Sequence, residues 1–393
     1  MNIAIVVHGR FHGFDLALAL LARNHDVGVF TNYPRWTARR FGLPDSCVHS
    51  FPLHNALSRL ADKIGINQEA ALHQMFGRWA AQAVDKRRWD VIHAFTGVAE
   101  ELLRAKRRPS EQRSIVRGSS HIATQNRLLE EEERRCGSAI ARPSAWMMAR
   151  EQREYELADR IAVLSTFALE SFVSEGVPRE RLMLLPLGVD LEHFRPAPEV
   201  VAERQRRILA GEPLRILFVG TASFQKGVLD LAAIVQRLQG PRFQFRFVGD
   251  TPAESAALLR ELRGKLEMFG RQPQFDLPRW YAWADVFIFP TIQDGYAIVL
   301  AQAQAGALPI ISTTNCSAHD MIREGESGWI VPIRQPEAFI QRLEWIEANR
   351  EAFSRMVERL YGEFKPRDWN DVAADFETLH DSATPLARVS GIR

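Results

Sequence analysis

The chain is poor in cysteine. Its 393 residues hold three, Cys47, Cys136 and Cys316, and none forms a Cys-x-x-Cys pair. That pattern argues against a disulfide framework or a zinc site and points to a reducing cytoplasm. No apolar run approaches the ~18 residues that a spanning helix needs. The N-terminus, MNIAIVVHGRFHG, lacks the basic start and long apolar core of a secretory signal. Net charge is nearly absent as well. Fifty basic residues against 48 acidic ones leave +2, so no global field demands nucleic acid as a partner. There is no short internal repeat and no low-complexity tract. Two familiar phosphate loops are also missing. The first Gly-bearing loop, Gly9-Arg10-Phe11-His12-Gly13, is not Gly-x-Gly-x-x-Gly. No acid ends the second strand run, which leads into Thr31-Asn32, and this argues against a dinucleotide site. No Gly-Lys-Ser/Thr follows either, so the loop is not a P-loop.

What is present is an ordinary globular composition, 46% hydrophobic and 25% charged, on a chain long enough for two domains. Short apolar runs suited to buried parallel strands alternate with helical segments. In the first half they are Ile3 to Val7, Val27 to Phe30, Val91 to His93, Ser114 to Val116 and Arg160 to Leu164. In the second half they are Leu214 to Val219, Phe243 to Val248, Asp285 to Phe289 and Leu308 to Ser312. This rhythm predicts parallel sheets covered by helices. Leu187 to Pro198 has the Gly and Pro content of a linker, which places a boundary near Pro186. Two doubly wound domains would then face a cleft, with ligands at the carboxyl ends of the strands.

Positive charge gathers in the first third, at Arg39-Arg40, Lys86 to Arg88 and Arg104 to Arg108. Such runs are either solvated helix ends or a face for an anionic lipid or acceptor. Leu53 to Trp89 is rich in Leu, Ala and Met with interspersed Arg and Trp. It suits a membrane-surface contact or a helix pair packed on the first domain.

Three loops offer ligand chemistry. Gly9, Arg10 and Gly13 let a ligand approach backbone at a helix start, or simply make a tight turn. Gly220 to Gly227 carries Lys226, a point cation placed to neutralise a diphosphate. Asp294-Gly295 precedes a predicted helix, and Gln302 lies eight residues on, near the same face. A carboxylate and an amide there suit sugar hydroxyls and a ribose diol. The plainer alternatives are a helix cap for Asp294 and a solvated position for Gln302.

In order along the chain, these segments resemble glycosyltransferase family 4, the retaining group with the GT-B fold. Leu187-Gly188-Val189-Asp190, with Phe194 and Pro196, resembles the inter-domain N-G-V-D-x-x-x-F-x-P. Gly220 to Gly227 resembles G-R-L-x-x-x-K-G, and Val248-Gly249-Asp250 resembles V-G-D-G-P. Trp280 to Pro290 resembles the Y-x-x-A-D-v-f-v-x-P-S strand. Asp294 to Pro309 resembles the E-G-F-G-x-x-x-x-E-A helix. Gly325 to Gly328 with Val331-Pro332 resembles G-x-x-G-x-L-V-P. Trp369, Val372 and Ala373 resemble the tail that crosses back to the first domain.

The resemblance implies an α/β protein of the GT-B fold, with two Rossmann-like doubly wound domains facing a central cleft. Residues 1–186 would bind the acceptor, with 365–393 packing back on them. Residues 187–364 would bind the donor. It implies transfer of a hexose, with retention, from a UDP- or GDP-type nucleotide sugar to a glycan or lipid-linked acceptor. The setting would be lipopolysaccharide or exopolysaccharide synthesis at the inner face of the membrane. No metal or other cofactor is expected, and no nucleic acid. Asp294 would contact the donor sugar, Gln302 the ribose and Lys226 the diphosphate. Gly220, Thr221, Gly295, Tyr296, Ala297 and Ile298 would complete the donor site. His121, after Arg117 to Ser120, would sit near the reaction centre, or else serve as a structural histidine at a strand end.

Four positions depart from the pattern. Thr221 stands where the family has arginine, which removes one cation, and Arg10 is a candidate replacement from across the cleft. Asp294 is shorter than Glu by one methylene, about 1.5 Å. Gln302 keeps an acceptor but loses the charge, and Ala297 replaces a usual Gly. Two other functions share the fold. One is a sugar-nucleotide epimerase or phosphorylase, and the other is a nucleotide-sugar binder without catalysis.

Overall fold

The structure is a computed structural model and describes residues 1–64, 68–363 and 365–381. The last part of the expected tail, 382–393, lies outside these residues, as do 65–67 within Leu53 to Trp89.

Seven strands form the first sheet: β1 Asn2–Val7, β2 Asp26–Thr31, β3 Val48–Ser50, β4 Val91–Phe95, β5 Gln112–Arg117, β6 Arg160–Val163 and β7 Leu182–Leu184. Six form the second: β8 Leu214–Val219, β9 Phe243–Val248, β10 Leu266–Phe269, β11 Val286–Phe289, β12 Ile310–Thr313 and β13 Gly328–Val331. The sheet orders are β3-β2-β1-β4-β5-β6-β7 and β10-β9-β8-β11-β12-β13. All pairings are parallel, as in β1 with β4 and β8 with β11. The central strands are buried on both faces, which is why they read as unbroken apolar runs. Strand order reverses between β1 and β4 in one sheet and between β8 and β11 in the other. The loops after these four strands therefore diverge and leave room for ligand.

The sequence runs locate most strands to within a residue or two. They do not include the four edge strands β3, β7, β10 and β13, each three or four residues long. The segment read as a linker is packed. Leu187, Val189 and Phe194 are buried, and they join the apolar core of the first sheet to that of the second. Val189 N–H donates to Arg367 O at 2.9 Å. A Cβ on Gly188 would lie 2.3 Å from the backbone of Asp368, so two chain passes cross there in direct contact. The last described helix, Trp369–His380, then packs on helix Gly13–Ala22 of the first sheet. Glu377 anchors it, bonded to Arg23 at 2.7 Å and His25 at 2.6 Å.

All three basic runs are partly held by acids, the first through Arg39 with Asp45. Arg87 pairs with Asp26, Arg107 with Asp159 and Arg108 with Asp85. Leu53 to Trp89 contains the helices Pro52–Ile64 and Glu69–Val84, and the second buries Phe76, Ala80 and Val84 against the first sheet. Among the described residues, no helix is long and apolar enough to cross a membrane.

Candidate active site

The loops after β8 and β11 are zipped together. Ile292 N–H and Thr291 Oγ1 both donate to Gln225 O, at 2.9 and 3.2 Å. Ser223 caps the tight turn Phe224–Lys226. Gly227 follows at φ +76°, and a Cβ there would sit 1.8 Å from Pro290 O. Only glycine meets both demands. This zipping brings Lys226 Nζ to 2.6 Å from Asp294 Oδ2, although 68 residues separate them. The pair is partly exposed, with side-chain accessibilities of 22% and 17%.

The helix expected to open at Gly295 begins at Ile298 and ends at Ala305. Asp294 therefore lies in a loop, where its N–H donates to Asn315 O at 2.9 Å. It is neither a helix cap nor on a helical face shared with Gln302. Counting residues placed the two together only by assuming a helix that starts three residues too early. Gln302 is buried, and Tyr281 O–H donates to its Oε1 at 2.8 Å. Tyr296 is buried too, and its hydroxyl donates to Leu187 O at 2.6 Å, tying the loop to the chain crossing. Ala297 is buried beside it.

Opposite stand the loops after β1 and β5. Gly9 N–H donates to Asn32 Oδ1 at 2.7 Å, and Gly13 starts the first helix with Phe95 packed against it. Arg10 is engaged on its own side by Asp15 at 3.0 Å and reaches the second half through Gln274 at 3.4 Å. It does not stand in for the cation missing at Thr221. Gly118 and Ser119 touch Gly295, and Ser119 and Ser120 Oγ donate to Gln293 Oε1 at 2.9 and 3.1 Å.

His121 is not beside these ligand-facing groups. It is buried, caps helix Ile122–Cys136 through Nδ1, and packs on Tyr155 and Phe172. Burial lowers its pKa to about 4. These contacts suit a structural histidine at a strand end.

Between the two sheets lies a cleft of about 1240 Å³. That exceeds the roughly 300–1,000 Å³ of most ligand pockets. Of the residues singled out from sequence, Arg10, Tyr296, Ile298 and Gln302 line it. Lys226, Asp294, Gly220, Thr221, Gly295 and Ala297 do not line it, and neither do Gly9, Gly13 and His121. Sequence reasoning missed His8, His73, Phe95 and Glu151, which do. His8 was open to discovery, because it directly follows the central strand β1, where such sheets place ligands. Among the described residues, no group of His, Cys, Asp and Glu is arranged to hold a metal ion.

Residues 201–362 match the family model of glycosyl transferases group 1, and residues 11–193 match that of glycosyltransferase family 4. WcaL of Escherichia coli, named as a colanic acid biosynthesis glycosyltransferase, is 28% identical over 180 residues, 43% of this chain and 42% of WcaL. The amylovoran biosynthesis glycosyltransferase AmsK of Erwinia amylovora is 25% identical over 172 residues, 41% of this chain and 40% of AmsK. The chain thus spans about two fifths of the length of these relatives. The crystal structure of Anabaena HepE in complex with UDP and glucose superposes with a TM-score of 0.66 at 13% identity, covering 96% of this chain and 98% of HepE. At that identity the likeness shows the fold, which is GT-B.

Proposed function

The chain belongs to the GT-B glycosyltransferases of group 1 and family 4, and we propose that it transfers a hexose from a nucleotide diphosphate sugar to a glycan or lipid-linked acceptor. The donor is of UDP or GDP type, the reaction retains configuration, and the product enters polysaccharide or lipopolysaccharide synthesis. The domain boundary lies near Pro186, with the acceptor on the first unit and the donor on the second.

One observation carries the reading: the Lys226–Asp294 pair at the switch point between β8 and β11. Before the donor binds, each charge neutralises the other. An arriving diphosphate takes Lys226, since a doubly charged anion outcompetes one carboxylate for the same ammonium. Asp294 is then free to accept hydrogen bonds from the sugar hydroxyls. Charge that develops on the leaving diphosphate is met by Lys226 and by the amides that open helix Ile298–Ala305. Tyr296 holds that loop in place, and Gln302 meets the ribose. His121 acts on the reaction only through the loop Gly118 to Ser120, which it follows.

Peripheral contact with anionic membrane belongs to the same proposal, narrowed to helix Arg35–Arg40 and its neighbours. There Trp36 is 60% exposed, and Arg40 lies over its ring. A second reading, a nucleotide-sugar binder without transfer, draws on Gln302, whose carbonyl is already occupied by Tyr281.

The test is a thermal-shift panel of nucleotide sugars, since a ligand of the native state raises stability. It is followed by transfer assays with the donor so identified. Lys226→Ala and Asp294→Ala are each expected to abolish transfer in a folded protein. Wild-type transfer by both variants would remove the pair from the site.

A further inference from the structure

We infer that the acceptor end of the cleft is built for a neutral sugar, with His8 and His73 accepting its hydroxyl hydrogens and Phe11, backed by Phe95, supplying its stacking face. The inference rests on the glycosyltransferase reading and adds the chemical class of the acceptor.

His8 directly follows β1 and lines the cleft. Its ring centroid is 5.0 Å from that of His54 and 5.6 Å from that of His73. Imidazoles this close, packed on Phe76, cannot all carry charge. Burial first, and then His54 and His73, lower the pKa of His8 to about 4, and burial lowers His73 as well. At neutral pH both are uncharged. The tautomer of His73 is fixed. Its Nδ1 lies 2.8 Å from Gly97 O, a group that can only accept, so Nδ1 carries the hydrogen and Nε2 is left as an acceptor. His8 has no hydrogen-bond partner among the described residues and offers a second ring nitrogen.

Charge on the same wall cancels. Arg10 is paired with Asp15 at 3.0 Å, and Arg117 with Glu151 at 2.8 Å. Beyond them Asp190, Glu192 and Asp368 also line the cleft, as does one further cation, Arg271, which lies 4.0 Å from Asp250. Five carboxylates thus line the cleft against three guanidinium groups. A phosphate or a carboxylate on the acceptor would find Arg10 and Arg117 already paired and a surplus of negative charge around it. A neutral sugar meets ring nitrogens for its hydroxyls and aromatic faces for its C–H groups. Phe11 supports this use. It is 67% exposed, stacks on Phe95 at 5.8 Å, and is held at φ +38°, a conformation costly for a side-chain-bearing residue.

The experiment is a binding assay on the full chain without donor. The probes are an immobilised panel of neutral oligosaccharides and the same oligosaccharides carrying a phosphate or a uronic carboxylate. Neutral members should bind and charged ones should bind at least tenfold more weakly. His8→Ala and His73→Ala should each weaken neutral binding by roughly tenfold, the effect of losing one good hydrogen bond. His8→Asn, which keeps an acceptor near the place of Nδ1, should recover most of it, and a merely structural role would not produce that rescue. Preference for the charged glycans, undiminished binding in both alanine variants, or no glycan binding at all would each overturn the inference. Thermal shift with UDP on the same samples separates the two claims. Histidine-dependent glycan binding without any nucleotide response would leave the acceptor site standing and remove the transfer reaction.

Discussion

Gly295→Ala isolates the contact between the two halves. A Cβ at Gly295 would lie 2.3 Å from Ser119 Cα and 2.4 Å from Gly118 O. Both are backbone atoms, so no rotamer change relieves the clash. The φ of Gly295 lies outside the left-handed region, so alanine brings no backbone strain of its own. The halves must part by about 1 Å to restore ordinary contact, an overpacking cost of about 1–3 kcal/mol. Parting also stretches the Ser119 and Ser120 bonds to Gln293, now 2.9 and 3.1 Å, at about 1 kcal/mol each. The lower entropy of an unfolded alanine returns about 0.4–1 kcal/mol. The net is roughly 2–5 kcal/mol against the closed arrangement, while the core of each half is untouched. Donor affinity should fall about tenfold or more, because Asp294 and the helix start at Ile298 flank the displaced residue. Calorimetric titration with UDP and a thermal melt measure both quantities. Gly118→Ala is the control, since a Cβ there meets nothing within 4 Å. If Gly295→Ala binds UDP and melts like wild type, the two loops do not touch as described and the reasoning fails.

Tyr296→Phe should leave the buried Leu187 O unsatisfied and cost about 1–2 kcal/mol in urea denaturation, with weaker donor binding. Unchanged values for both would show that the hydroxyl is not a strut. Acid should destabilise the protein. Burial lowers His8, His121 and His380 to about 4 and His12 to about 3, whereas the unfolded chain titrates near 6.5. The unfolded state therefore binds these protons first, so stability is full above pH 6.5 and is lost as pH falls toward 4. Glu154, raised to about 7 by burial, works in the opposite direction, gaining stability as pH falls from 7 toward 4.5. With four groups against one, the net loss from pH 7 to 5 is roughly 2 kcal/mol or more, and equal melting temperatures at the two pH values would contradict it. Flotation with vesicles containing anionic lipid should recover the wild-type protein, and Trp36→Ala with Arg40→Ala should not float. Equal absence from neutral and anionic vesicles in the wild type would count against membrane contact.

Local signals carried the architecture. Strands such as Leu214–Val219 and Phe243–Val248 are buried on a repeating pattern and bounded by Gly, so their limits are written in adjacent residues. The arrangement of the site depended on distant ones. The helix after β11 begins at Ile298 because Asp294 is held by Asn315 O and Tyr296 by Leu187 O, partners 21 and 109 residues away. Gly and Pro marked Leu187 to Pro198 as a linker, yet its apolar residues are buried where the chain returns at Arg367 to Trp369. The histidine cluster joins residues 8, 54 and 73 from three elements, a proximity no window of sequence contains.

The departures from the family pattern now have a geometric setting. The loops carrying Lys226 and Asp294 lie so close that Gly227 abuts Pro290 O, and the aspartate reaches the lysine at 2.6 Å. A glutamate, about 1.5 Å longer, would overshoot that position or fold back on itself. The shorter acid therefore matches a tighter approach of the two loops and need not mark a loss of function. Gln302 follows the same logic. A glutamate there would offer the cleft only acceptors. The glutamine spends its carbonyl on Tyr281 and keeps amide hydrogens, so in the proposed reaction it donates to a ribose oxygen where a glutamate could only accept. Gln302→Glu is the discriminating change. It preserves shape and restores the family's charge, and under this geometry it should weaken UDP binding by placing a buried carboxylate near the diphosphate, whereas tighter binding would mean that the ribose still donates.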